Sequence, residues 1–201
     1  MAFDGTTVAG IVYELNNILT EARISKIAQP EKDELIISFK CTGRVNKKLL
    51  ISANAGLPLV YFTQDSKQSP LTAPNFCMLL RKHLGGARVV GVRQFGLERV
   101  INIELEHLDE LGDLRKKNLI VELMGKHSNI IFCEPSQDSG LVIIDSIKRI
   151  SGLVSSVREV LPGRRYFIPN TMDKCDPYSF DTDIMKCITD KSMPVFKAVY
   201  T

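Results

Sequence analysis

Two strand-like runs joined by a short turn make up the stretch ARVVGVRQFGLERVINIEL, residues 87–105. Apolar residues favoured in strands dominate the runs 87–95 and 99–105, and Gly96 begins the turn between them. Similar runs extend to both sides, at residues 35–39, 48–52, 57–62, 118–123, 129–134 and 141–148. Strands therefore outnumber helices and do not alternate with them, which predicts an α+β fold.

Two amphipathic segments predict helices at residues 7–20 and 73–84. In the first, apolar residues recur at the spacing of one helical face, and Asp4 and Thr6 or Thr7 stand where they can cap the free N–H groups. In the second, Pro74 suits the first turn and Gly85-Gly86 ends the helix. Loop signals at Gln29-Pro30 precede the alternating run at 35–39, and residues 109–117 form a predicted charged turn.

Composition places the chain among soluble globular proteins. Its 201 residues are 44% hydrophobic and 24% charged, with a net charge of +3. No window approaches the roughly 18 apolar residues that span a bilayer. The first five residues include an acid and no basic region, so they do not resemble a secretory signal. Five scattered cysteines without a Cys-x-x-Cys pair favour a reducing compartment, which predicts a cytoplasmic protein with no membrane partner.

Enzymatic and metal-binding patterns are weak. The three histidines lack zinc-ligand spacing, and the chain contains no Gly-x-Ser-x-Gly, P-loop or Gly-x-Gly-x-x-Gly motif. Cys77 lies on the second predicted helix without an implied histidine partner, so we interpret it as a buried structural cysteine. The sequence therefore predicts no metal, no cofactor and no catalytic residue.

Arginine-rich windows are the main electrostatic feature. Residues 75–99 contain five basic residues and one acid, and residues 140–169 contain five basic residues and two acids. Two such windows could merge into a patch that binds phosphates, and arginine favours bidentate contacts with them. A solvated face of an ordinary soluble protein explains the same pattern, and charge alone leaves both interpretations open.

The turn Gly96-Leu97-Glu98-Arg99 places a carboxylate beside a guanidinium. In a turn the two groups can converge on a ligand, the carboxylate accepting from base amino groups and the guanidinium donating to phosphate or base acceptors. The alternative is an ordinary surface pair that contributes less than about 1 kcal/mol.

A domain boundary is predicted near residues 162–177, where turn-forming dipeptides cluster at Pro162-Gly163, Pro169-Asn170 and Asp176-Pro177. We expect one domain over residues 1–169. Residues 170–201 are expected to form a linker and the start of a helical region, which is too short for a core of its own.

Seven segments in fixed order resemble the NFACT-N domain of the bacterial fibronectin-binding protein A family. That family is similar to the eukaryotic nuclear export mediator factor. The resemblance covers roughly residues 1–170, and the segments that carry it are FDG (3–5) with YELN (13–16), ARISKI (22–27), FCMLLRKHL (76–84), GLER (96–99), MGKHSNII (124–131), DSIKR (145–149), and SSVR (155–158) with LPG (161–163).

The resemblance implies a tRNA-binding domain of a ribosome quality control factor. Such factors bind the obstructed large (50S) ribosomal subunit and its rRNA, and recruit tRNA for template-free alanine tailing of the stalled chain. It also implies a β-sandwich-like sheet body with two main helices, similar to the N-terminal domain of formamidopyrimidine-DNA glycosylases. Glycosylase chemistry is not implied, because those enzymes begin with a proline amine and this chain begins Met1-Ala2. The start of a helix-hairpin-helix region is expected after Pro169.

We expect five nucleic-acid-binding residues, two of which match the family's functional motif. Asp4 matches an N-terminal aspartate, and Arg99 matches the arginine of an Asp-Arg pair. Glu98 departs from that pair by one methylene group. Arg149 and Arg158 are candidate phosphate contacts, which would position tRNA without reading its sequence. Lys126 and His127 fit either an RNA-facing turn or a plain hairpin tip. We expect one concave face near Asp4, lined by Arg81, Arg88, Arg93, Arg99, Arg149 and Arg158.

Two other functions remain open. The family's older name suggests a surface adhesin that binds fibronectin, although no export signal supports it. Fold analogy suggests a DNA-processing enzyme, which is weak ground because one fold hosts many functions.

Overall fold

The computed structural model describes residues 3–43, 45–109, 111–153, 155 and 158–168. Two α-helices, a 3-10 turn at Gly125–His127 and ten strands make up this part of the chain. The helices are α1 (Gly5–Leu19) and α2 (Asn75–Leu84). The strands are β1 (Arg23–Glu31), β2 (Glu34–Lys40), β3 (Lys47–Ser52), β4 (Leu59–Thr63), β5 (Arg88–Gln94), β6 (Val100–Leu108), β7 (Leu114–Glu122), β8 (Asn129–Pro135), β9 (Leu141–Ser146) and β10 (Arg165–Tyr166). The predicted α+β class with two main helices is confirmed.

All ten strands join one antiparallel sheet in the order β10-β9-β8-β7-β6-β5-β1-β2-β3-β4. Its two halves meet where β1 pairs with β5 through the single register pair Arg23–Arg88. Both halves nevertheless contribute to one apolar core, for example Ile51 of β3 and Val121 of β7, together with both helices. The sandwich-like body is thus one continuous sheet whose halves enclose a common core.

A lysine holds the two halves together at one end. The Lys148 ammonium donates to the backbone oxygens of Ala53 at 2.5 Å and Ser128 at 3.1 Å, so the end of β9 lies beside the loop after β3. Burial lowers the pKa of Lys148. Its three donors suit this role, because two carbonyl groups from separate loops meet at one ammonium.

Residues 158–167 lie over the outer face of β7–β9, the face turned away from the common core, where Arg158 and Tyr166 both bond to Glu122 of β7. Buried residues of that face lie beneath them, including Ile120, Ile131 and Ile143, with Val160 and Tyr166 packing from above. One buried ion pair lies in this second layer, between Glu122 of β7 and Arg158.

Three strand assignments differ from the sequence-based expectation. The loop predicted at Gln29-Pro30 belongs to β1, because Pro30 stands near the end of that strand, where a missing N–H costs little. The charged turn predicted over 109–117 is shorter, since β7 begins at Leu114 and pairs with Leu108. The two-residue strand β10 has no predicted counterpart. The compact unit ends at Phe167, and the predicted linker and helical region over 170–201 lie outside the described residues.

Candidate nucleic-acid interface

The N-terminus of α1 forms one side of the candidate site. Asp4 caps the helix as the sequence predicts, with its carboxylate accepting a 2.7 Å hydrogen bond from the Thr7 N–H. That backbone bond, with the Thr7 hydroxyl, lowers the pKa of Asp4. The carboxylate is exposed and remains ionised at neutral pH. Capping therefore holds one negative charge at a defined position on the surface.

An Asp4→Asn variant is expected to keep the cap and lose its pH dependence, because asparagine caps helices as well as aspartate does. The folded-state pKa of Asp4 is depressed, so its stabilising contribution is complete above the ordinary value of 3.8 and is lost as the pH falls through the folded value. Thermal midpoints by circular dichroism should match at pH 7, and the wild type should lose more stability below about pH 4. Parallel curves for the two proteins would contradict this assignment.

The Gly96-Leu97-Glu98-Arg99 turn is packed directly against that helix end. The Gln94 amide donates to the backbone oxygens of Gly5 at 2.9 Å and Glu98 at 2.8 Å. A Cβ built on Gly5 would lie 2.0 Å from the Leu97 carbonyl oxygen, so only glycine allows this approach. Gly96 has a φ of +53°, which favours glycine in the turn itself. The structure therefore brings Asp4 and the Glu98-Arg99 turn together, as the sequence suggests.

Glu98 and Arg99 keep their charged groups available. Both residues are half-buried, and within the described residues neither side chain has a hydrogen bond or an ion pair. The backbone of the turn is nevertheless fixed, because the Arg99 oxygen accepts from the Leu123 N–H at 2.9 Å. A free carboxylate and a free guanidinium thus stand on a rigid turn. That arrangement suits a ligand presenting both donors and acceptors.

Arg149 and Arg158 are placed differently from Arg99. Arg149 is exposed, but its guanidinium donates two hydrogen bonds of 2.9 Å to the Asp145 carboxylate. The Arg158 side chain is only 8% exposed, pairs with the fully buried Glu122 and donates to the Phe167 oxygen. Arg158 therefore acts as the counter-ion of Glu122. Arg149 has an exposed edge but a neutralised charge.

Of the six arginines expected to line one concave face near Asp4, five have guanidinium groups bonded to other side chains or to backbone oxygens. Arg88 pairs with Glu21 and Glu106, and Arg93 pairs with Glu104. The Arg81 Nε donates to the Ile27 backbone oxygen at 2.8 Å. Among the six arginines, Arg99 alone lacks a partner in the described part of the chain. The carboxylates that pair with Arg88 and Arg93 are Glu21, Glu104 and Glu106, which lie outside the 75–99 window, so the charge count of that window does not capture them.

Sequence reasoning missed Gln94 and Gly5, the two residues that join the turn to the helix. A glycine at the first position of a helix is the only signal that points to this close packing. Lys126 and His127 are exposed in the 3-10 turn, and Leu123, just before it, bonds to Arg99.

Cys77 is buried, with its Sγ 3.7 Å from the Ile27 oxygen, and burial raises its pKa.

The described ranges of the chain contain no group of three or more His, Cys, Asp or Glu side chains able to hold a metal ion. No helix within them is both long and apolar enough to cross a bilayer.

A family model and the curated relatives of this chain indicate the same family. The family model described as NFACT N-terminal and middle domains matches residues 4–200. The Rqc2 homolog RqcH of Bacillus subtilis is 39% identical over 183 residues, covering 91% of this chain and 31% of that protein. RqcH of Streptococcus suis is 36% identical, covering 89% of this chain and 32% of that protein. The chain thus spans about a third of the length of these curated relatives.

Solved structures agree with this similarity. The N-terminal domain of the fibronectin-binding protein PavA from Streptococcus pneumoniae superposes with a TM-score of 0.85 at 29% identity, covering 99% of this chain and 78% of that one. The fibrinogen-binding protein from Staphylococcus aureus gives a TM-score of 0.84 at 30% identity, covering 100% of this chain and 69% of that one.

Proposed function

Because the chain belongs to the family of NFACT N-terminal and middle domains, we propose that it is the N-terminal, tRNA-binding part of a ribosome quality control factor. The factor would act in the cytoplasm on the obstructed large (50S) subunit, in contact with its rRNA. There it would recruit tRNA for template-free alanine tailing of the stalled chain. Its relatives named RqcH, Rqc2 homologs, support this assignment.

The observation that carries the proposal is the unpartnered Glu98-Arg99 pair beside Asp4. Its chemistry fits a folded RNA. The Arg99 guanidinium can donate to a phosphate or to base acceptors, while the carboxylates of Glu98 and Asp4 accept from base amino groups or ribose hydroxyls. Two carboxylates repel a uniform phosphate array, so this site favours a loop that presents bases. The domain would therefore act as a binding module, with no catalytic step assigned to it.

An Arg99→Gln variant tests the proposal directly. Hydrogen bonds to charged groups are worth about 1.5–3 kcal/mol, so we expect tRNA affinity to fall by about tenfold or more. Fluorescence anisotropy with labelled tRNA measures the change. Arg115→Gln is the matched control, since it removes the same charge from a guanidinium already bound to Asp109 at 2.7 Å. Equal losses in both variants would mean that the turn has no special role.

Fibronectin binding is the second candidate function, because a solved neighbour is named for it. A binding assay on immobilised fibronectin, with tRNA as competitor, distinguishes the adhesin from the tRNA-binding domain. Binding to fibronectin that excess tRNA leaves unchanged, together with wild-type tRNA affinity for Arg99→Gln, would favour the adhesin.

Residues 170–201, which we propose to be a linker and the start of a helical region, lie within the family match as far as residue 200. The likeness of the fold to the N-terminal domain of formamidopyrimidine-DNA glycosylases stays a prediction.

A further inference from the structure

Four cations form a patch on the outer face of the half of the sheet that contains β1–β4. We call this patch the β1–β3 basic face. Its members are Arg23 and Lys26 of β1, Lys40 of β2 and Lys48 of β3. We propose that the β1–β3 basic face is a second RNA-binding surface, which holds the phosphodiester backbone of a single RNA strand. It lies on different strands from the Glu98-Arg99 turn.

Strand register places these four side chains on one face. Arg23 pairs with Lys40, Lys26 pairs with Ser38, and Ser38 pairs with Lys48. Register partners point to the same side of a sheet, and the residues between them, such as Ile24, Phe39 and Leu49, point into the core. The cations therefore form two rows about 7 Å apart, and Lys26 lies about 10 Å from Lys48 across one intervening strand.

The four cations are not paired with the acids of the same outer face, because Glu31 and Glu34 lie at its other end and Glu34 pairs with Lys67. Within the described residues, none of the four cations has a salt bridge, and Lys26 and Lys40 have no side-chain hydrogen bond either. Arg23 and Lys48 donate only to backbone oxygens, those of Gly86 and Gln64. The contrast with Arg88, next in the same row, is clear, because Glu21 and Glu106 both pair with it. The uncompensated charge therefore ends at β1.

A groove and an aromatic ring adjoin the cations. The groove, about 410 Å³ in volume, lies between β1 and the C-terminal end of α2 and is lined by Ser25, Lys26, Arg81 and Gly85 among others. Tyr61 of β4 lies on the same outer face, two residues from Thr63, the register partner of Lys48, and is 45% exposed. The groove thus adjoins the cations at Lys26, and the ring adjoins them at Lys48, on the other side of the patch. Cations together with an exposed aromatic ring bind single-stranded nucleic acid, through phosphate contacts and base stacking.

Charge complementarity decides the class of partner. The cations form a narrow track two to three strands wide, which matches a linear polyanion better than a broad lattice of lipid headgroups. The inference does not depend on the Glu98-Arg99 turn, because the residues involved are separate. The two surfaces can therefore be tested independently in the same protein.

The test uses the 201-residue chain with the double substitution Lys26→Gln/Lys40→Gln. The control, Lys32→Gln/Lys116→Gln, removes the same charge from exposed lysines outside the patch. The probe is a fluorescein-labelled oligouridylate of about 20 nucleotides, titrated between about 50 and 200 mM KCl, because single-strand binding depends steeply on salt. Two lost phosphate contacts should weaken binding about tenfold or more at the lowest salt. They should also make the salt slope shallower by about 1.4, whereas the control should change little.

Several results would overturn the proposal. Equal losses in the control would assign the effect to net charge. Unchanged oligouridylate binding by the lysine variant would rule out the RNA assignment. If the lysine variant instead lost binding only to phosphatidylserine vesicles, tested in parallel, the face would be a membrane-binding surface. Arg99→Gln keeps the two proposals apart. If Arg99→Gln abolishes tRNA binding while the lysine variant binds both RNAs normally, only the basic-face proposal is wrong. If the lysine variant loses RNA binding and Arg99→Gln does not, only the proposal for the Glu98-Arg99 turn is wrong. Unchanged thermal midpoints show that each variant is folded.

Discussion

Replacing Arg158 with alanine is expected to lower the free energy of unfolding by about 3–5 kcal/mol, because it leaves a buried carboxylate without its counter-ion. Glu122 is fully buried, and its carboxylate is held by the Arg158 guanidinium and by a 2.9 Å hydrogen bond from the Tyr166 hydroxyl. Burial lowers the pKa of Arg158, but the hydrogen bond and charge of Glu122 outweigh it, so its net pKa is raised. Urea denaturation followed by circular dichroism measures the loss.

A triple variant gives the control for this result. Glu122→Leu/Arg158→Met/Tyr166→Phe removes every polar group of the cluster at once, and replacing a whole buried ion pair by apolar residues is often neutral or stabilising. We therefore expect the triple variant to be more stable than Arg158→Ala. A loss below about 1 kcal/mol for Arg158→Ala would show that Glu122 does not need its partner. Any loss of RNA binding by Arg158→Ala should follow the loss of folded protein, because the wild-type Arg158 guanidinium is turned inward to Glu122.

A Gly5→Ala variant is expected to lose about 1–3 kcal/mol of stability and to bind tRNA about tenfold less tightly or worse. The new Cβ would lie 2.0 Å from the Leu97 carbonyl oxygen, and a backbone group cannot move aside as a flexible side chain can. The helix end and the turn must therefore separate, which displaces Glu98 and Arg99 from Asp4. Thermal denaturation and fluorescence anisotropy with labelled tRNA measure the two effects.

Gly10→Ala supplies the matched control within the same helix. A Cβ on Gly10 meets nothing within 4 Å. Alanine is favoured over glycine in a helix by about 1 kcal/mol, so this variant should be as stable as the wild type or more so, with unchanged tRNA affinity. If Gly5→Ala behaves like Gly10→Ala, the contact between α1 and the turn does not organise the site.

Most regular elements could be predicted from the sequence, because their patterns are local. The helix predicted at 73–84 spans Asn75–Leu84, and the run at 48–52 lies within β3. β1 escaped prediction for a physical reason. Bulges between Ile24 and Lys26 and between Ala28 and Glu31 interrupt its register, so its side chains do not alternate with a period of two.

The site could be predicted only in part. Asp4 as a helix cap and the Glu98-Arg99 turn depend on neighbouring residues, and both were found. The pairing of Arg88 and Arg158 was not predictable, because their carboxylate partners lie far along the chain. Arg158 meets Glu122 across 36 residues, and Arg88 meets Glu21 across 67. A count of basic residues in a window cannot distinguish a paired guanidinium from a free one.

Local order along the chain was therefore enough to establish the α+β class, the two helices, the capping carboxylate and the charged turn, since each arises from side chains a few positions apart. Tertiary structure alone decided that Gly5 packs on Leu97, that Arg99 has no partner among the described residues while Arg158 is buried, and that Arg23, Lys26, Lys40 and Lys48 share one face. The reason is that hydrogen bonding between strands and burial of charge both depend on which distant segments become neighbours.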